Sequence, residues 1–184
     1  MQDPKLPHNP FPNIILGDFH SYIVKVELDI RYSKRQAIRI GHILNNRYNL
    51  DGILIEQSST TTHRIENADY SKTVFRYRTA NYHIVFNRKV SEMENHSIIA
   101  WLCLYLKDEN LTKWFFMQCI KQTTTLRIGF KRNKKPPKEV YRFGKQDKMI
   151  AEFLDNRQFI LDFLNGENKK CQNRENLILL RICH

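Results

Sequence analysis

Residues 72–89 read KTVFRYRTANYHIVFNRK, and side chains alternate through them at the two-residue period of a strand. Phe75 and Tyr77 alternate with Arg76 and Arg78. Beyond Ala80 and Asn81, the residues Tyr82, Ile84 and Phe86 alternate with His83 and Val85. The pattern predicts two short strands, TVFRYRT and YHIVF, folded back on each other through a tight turn. One face of this hairpin carries Lys72, Arg76 and Arg78. A solvated row of cations on a ribbon suits a polyanion.

The same period governs SYIVKVELDIR at residues 21–31. Val24, Val26, Leu28 and Ile30 fall on one face, and Lys25, Glu27, Asp29 and Arg31 on the other, which is expected to be wet. Ser33 is placed to cap a helix through KRQAIRIGHILNNRY, whose apolar stripe of Ala37, Ile40, Ile43 and Leu44 is flanked by Lys34, Arg35, Arg39 and Arg47. ILIEQ and STTTHRI read as two further strands. Ser91 with Glu94 forms a capping-box signature before the apolar MENHSIIAWLCLYL. ENLTKWFFMQCI reads as a second helix or as the approach to a strand. TTTLRIGFKR and KEVYRF are predicted to pair as a second ribbon across NKKPPK, whose prolines stiffen the connection. From Gln146 to Leu164 the residues Ile150, Phe153, Leu154, Ile160, Leu161 and Leu164 return at helical spacing, with Gly166 as a stop.

This order predicts an α+β fold: a mainly antiparallel sheet with two basic hairpins and three to five packed helices. Residues 1–17, with prolines at 4, 7, 10 and 12, read as an extended arm, 18–166 as a basic α+β domain, and 167–184 as a polar linker with a short C-terminal helix. That last apolar stretch, residues 176–184, is a candidate contact for a protein partner.

The charge balance points to the partner class. Thirty Lys and Arg against nineteen Asp and Glu leave a net charge of +11 over 184 residues. That excess favours DNA or RNA, with a lipid surface as the weaker reading. The run SIIAWLCLYL is about half the length of a membrane span, so a core helix is expected and no membrane partner. Cysteines 103, 119, 171 and 183 form no CxxC pair and read as reduced thiols of an intracellular chain, nuclear or cytoplasmic alike.

Between residues 121 and 148 ten cations face two acids, a net of +8. Arg76, Arg78, Arg127, Lys131, Arg132, Lys134, Lys135, Lys138 and Arg142 are therefore the expected phosphate contacts, with Tyr141 as a base-stacking candidate. Nucleic-acid binding needs no cofactor. An alternative is a Mg²⁺-dependent endonuclease, in which Asp51 and Glu56 hold the metal and Glu27 and Asp29 add carboxylates. Asp51 followed by Glu56-Gln57-Ser58 resembles the acid, acid-x-lysine pattern of restriction-type nucleases without its lysine. The segment CQNRENLILLRICH, with Cys183 and His184, is similar to the latter part of an HNH nuclease finger without its first half. A third class is a structural subunit of a nucleoprotein assembly. No P-loop, dinucleotide glycine motif or nucleophile elbow is present.

Overall fold

The computed structural model describes residues 17–65, 75–128 and 136–164. The Pro-rich arm, Lys72, the basic turn with Lys131, Arg132, Lys134 and Lys135, the C-terminal linker and helix, Cys171, Cys183 and His184 lie outside the described residues.

Among the described residues ten elements follow one another: β1 (Gly17–Asp18), β2 (Ile23–Tyr32), α1 (Lys34–Tyr48), β3 (Gly52–Ile65), β4 (Phe75–Lys89), α2 (Glu92–Leu106), α3 (Glu109–Lys121), β5 (Leu126–Arg127), β6 (Lys138–Gly144) and α4 (Met149–Leu164). The main sheet has the order β2-β4-β3-β6 and is antiparallel throughout; β1 and β5 pair separately. The α+β class and the antiparallel sheet are as the pattern predicts.

Two pairings differ. FRYRT, the described part of TVFRYRT, and YHIVF are not a hairpin but one strand, β4, and ILIEQ with STTTHRI is likewise one strand, β3. The two long strands pair with each other from Ile53 opposite Phe86 to Ile65 opposite Phe75. Ala80-Asn81 supplies no positive-φ residue to close a tight turn. The irregularity is instead a bulge, where Gln57 opposes Tyr82 and Ser59 opposes Asn81, leaving Ser58 as the extra residue. Nor is there a second basic hairpin among the described residues: β5 pairs with β1, and β6 joins the main sheet beside β3.

Both faces of the sheet are covered. Val24, Val26, Leu28, Ile53, Ile55, Ile84 and Phe86 pack with Ala37, Ile40 and Leu44 of α1 and with Ile98, Ile99 and Leu102 of α2. On the opposite face Ile23, Leu54 and Val85 meet Leu126 and Ile128 and the α4 residues Ile150, Phe153 and Ile160. Alternation along β2 and the paired inner parts of β3 and β4 thus feeds two cores rather than a core and a wet face.

The caps fix the helices locally. Ser33 Oγ accepts from Gln36 N, and Gln36 Oε1 accepts from Ser33 N at 2.8 Å. Ser91 Oγ accepts from Glu94 N, as the capping signature implies. The first turn of α4 is capped from another element: Asn87 Oδ1 on β4 accepts from Lys148 N at 3.0 Å and Ile150 N at 3.2 Å.

Where β3 starts against the end of β6, a Cβ on Gly52 would lie 1.9 Å from the Lys145 carbonyl oxygen. Gly52→Ala is therefore expected to destabilise by about 3 kcal/mol through forced backbone displacement. Urea unfolding would measure it, and an unchanged midpoint would contradict this close approach.

Candidate functional site

The site begins with strand lengths. β2 pairs with β4 only as far as Tyr32 opposite Ala80, and β6 pairs with β3 only as far as Lys138 opposite Gln57. Beyond those points β3 and β4 continue together, through Thr61 opposite Thr79 to Ile65 opposite Phe75. The result is a two-stranded ribbon standing out from one end of the sheet. Its register sets Arg64 opposite Arg76 and Thr62 opposite Arg78, so these four positions share one face. His63, Tyr77, Ile65 and Phe75 occupy the positions of the other face.

The root of this ribbon is flanked by cations from other elements. Because Tyr32 stands opposite Ala80, the start of α1 with exposed Lys34 and Arg35 lies on one side. Because Lys138 stands opposite Gln57, the exposed start of β6 lies on the other. The stretch 131–135 precedes Lys138 in the chain by only a few residues.

Two other expected phosphate contacts, Arg127 and Arg142, are engaged within the protein. Arg127 is half-buried and donates through Nη2 to the carbonyl of Ser58, the group that the bulge frees from the ladder. Arg142 is exposed but forms a fork on Glu139, with Nε to Oε1 at 2.7 Å. Tyr141 is half-buried, and its hydroxyl lies 2.8 Å from His42 Nε2 on α1. It is therefore built into the fold rather than offered to a base.

The carboxylates proposed for a metal are dispersed. Asp51, in the turn before β3, has Lys148 Nζ at 3.7 Å. Glu56 lies five residues along the strand, about 16 Å away, wholly buried beneath α4 with Arg157 Nε 3.2 Å from Oε1. Asp29 accepts from Asn110 Nδ2 at 2.7 Å, whereas Glu27 acts on Arg127. Among the described residues no group of three or more His, Cys, Asp or Glu side chains is placed to hold a metal ion.

Under α4 lies a polar row that the alternation did not disclose. Glu27, His83 and Glu56 are consecutive cross-strand neighbours on β2, β4 and β3. Both carboxylate oxygens of Glu56 and both ring nitrogens of His83 are buried without a hydrogen-bond partner. Burial pushes the Glu56 carboxyl up to about 7, although Arg157 pulls the other way. Burial, reinforced by Arg127, pushes the His83 imidazole down to about 3. At neutral pH the row thus holds a neutral imidazole beside a carboxyl near its midpoint.

A second buried set lies further along the same face. Asp18 and Lys25 are both fully buried and paired, and Asp18 also accepts from His20 Nδ1 at 2.9 Å and Asn156 Nδ2 at 2.7 Å. Burial alone would raise the Asp18 carboxyl; Lys25 and His20 outweigh it and hold it well below the usual carboxylate range. Tyr22 donates to Glu152 beside this set. Lys25 was expected on a wet face. The apolar stripe of α4 was the signal that this face needed a cover.

No protein-family model, curated protein or solved structure matches this chain.

Proposed function

We propose that this protein binds nucleic acid, seating the phosphate backbone against the β3–β4 ribbon and its basic root. One observation supports the reading above the rest: the register that gathers Arg64, Arg76 and Arg78 on one ribbon face, at the same end of the sheet as Lys34, Arg35 and Lys138. A two-stranded ribbon has the width to enter a major groove, and guanidinium groups suit phosphate oxygens through paired N–H donors. The net charge of +11 supplies the long-range attraction.

Among the described residues no helix is long and apolar enough to cross a membrane. The basic segments at the ribbon root are strands and one helix start, rather than the continuous amphipathic helix that lies on a lipid surface.

The test is a fluorescence-anisotropy titration with duplex DNA, single-stranded DNA and RNA over a salt series. Changing Arg64, Arg76 and Arg78 together to Gln is expected to weaken binding at least tenfold. It should also flatten the slope of log affinity against log salt by roughly 2 to 3. Lys113→Gln, on α3, serves as the control. Equal affinity and an equal salt slope in the triple variant would remove the ribbon as the contact surface.

A further inference from the structure

The arginine face of the ribbon belongs to a larger basic surface. Along β4 the residues Ala80, Tyr82, Ile84 and Phe86 all join the core on the side of the sheet that α1 covers. Positions 78 and 76 continue that alternation, because the extra residue of the bulge, Ser58, lies on β3 and leaves the period of β4 unbroken. Register brings positions 62 and 64 to the same side. The arginine face and helix α1 therefore stand on one side of the sheet.

Helix α1 also begins at the ribbon's end of that side. β2 reaches this end at Tyr32, opposite Ala80, and Ser33 then caps the helix, which runs back over β3 and β4. Lys34, Arg35 and Arg39 are exposed on its first two turns, and the helix holds no Asp or Glu to neutralise them. Arg64, Arg76 and Arg78 on the ribbon thus lead into three further cations at its root.

Shape and composition select the polymer. Past Ala80 the ribbon continues from Thr61 to Ile65, about 14 Å of paired strand. That exceeds the depth of a B-form major groove, roughly 8.5 Å, and a ribbon of two strands fits its width. The major groove of an A-form RNA duplex is too narrow to admit it. A single strand is held by aromatic platforms on which its bases stack. Positions 62, 64, 76 and 78 of the arginine face hold Thr and three Arg with no aromatic, and Tyr141 is tied to His42.

On the reading that this protein binds nucleic acid, we propose that the polymer is B-form duplex DNA, entered through its major groove. The ribbon stands in the groove with its arginine face turned to one bordering backbone, and Lys34, Arg35 and Arg39 follow the phosphates of that same strand beyond the ribbon's root. Both sets of cations lie on one side of the sheet, so they meet one backbone rather than both. Helix α1 is thereby a second contact, reaching phosphates outside the groove that the ribbon occupies.

Fluorescence anisotropy on the full chain at a fixed salt concentration tests it with four probes of equal length. These are duplex DNA, duplex RNA, single-stranded DNA, and duplex DNA whose cytosines carry bulky 5-substituents that fill the major groove. Plain duplex DNA is expected to bind at least roughly tenfold more tightly than each of the other three. In a second arm, changing Lys34, Arg35 and Arg39 together to Gln should flatten the slope of log affinity for duplex DNA against log salt by roughly 2 to 3. All three are exposed, so the thermal midpoint followed by circular dichroism should not fall below the parent's. Equal or tighter binding to duplex RNA or to the single strand, indifference to the filled groove, or an unchanged salt slope would each overturn the choice of duplex and groove while leaving nucleic-acid binding in place. Failure to bind any of the four probes would instead remove nucleic-acid binding itself, and the duplex with it.

Discussion

Asp18→Ala is expected to cost about 3–5 kcal/mol, enough to unfold much of the population of an ordinary domain at physiological temperature. The reason is what it leaves behind. Lys25 is fully buried, and its ammonium donates to the carboxylate and carbonyl oxygens of Asp18. Without the carboxylate, an ammonium stands in a low-dielectric interior with a single carbonyl at 3.3 Å, and Asn156 and His20 lose their acceptor as well. The control is the double change Asp18→Ala with Lys25→Met, which removes both charges while keeping the stem's volume. It should recover most of the loss, because an apolar pair of similar size is about as stable as a buried ion pair. Urea unfolding of the parent, Asp18→Ala, Lys25→Met and the double variant closes the cycle. A single variant within about 1 kcal/mol of the parent would mean that Lys25 reaches water by another route.

What the sequence disclosed followed the range of the forces involved. Helix α1 and the start of α2 were legible because a cap and an apolar period are local: Ser33, Ser91 and the stripe of Ala37, Ile40 and Leu44 act within a few turns. The partner of KEVYRF was not legible. TTTLRIGFKR lay nearest in sequence, but β3 offered an open edge of the main sheet, and ladder pairing depends on such distant availability. The break at Ala80-Asn81 was open to two readings, a turn or a bulge. Choosing between them required knowing that Ser58 sits across from it with its carbonyl answered by Arg127, 69 residues away. The site divided in the same way. Arg76 and Arg78 could be singled out by alternation, whereas Arg64 joined them only through register. His83 and Glu56 took on their unusual environment from α4, which the sequence described as a helix without saying which face it covers.

That row leads to a test in which two variants tilt the same curve in opposite senses. Glu56 has its folded-state carboxyl raised from 4.5 to about 7. Its contribution is fully present below pH 4.5 and is lost as pH rises through 7, at about 1.4 kcal/mol per pH unit and about 3 kcal/mol in all. His83 is lowered from 6.5 to about 3. The neutral imidazole is the form the fold accepts, so stability is full above pH 6.5 and is lost on acidification toward 3, at the same slope. Between pH 4.5 and 6.5 the two slopes oppose each other, and the parent should show a plateau. Glu56→Gln removes the falling limb, so stability should climb with pH across this window. His83→Leu removes the rising limb, so stability should decline. The leucine fits because neither ring nitrogen has a partner to lose. Arg157 keeps its bond to the Pro137 carbonyl at 2.6 Å in either variant, which limits the secondary cost of losing the Glu56 charge. Urea unfolding at half-unit steps of pH, read as each variant minus the parent, cancels the groups they share. Difference curves of opposite slope would show that burial under α4 sets both protonation states; two flat curves would mean that water reaches the row and neither group is displaced from its ordinary range.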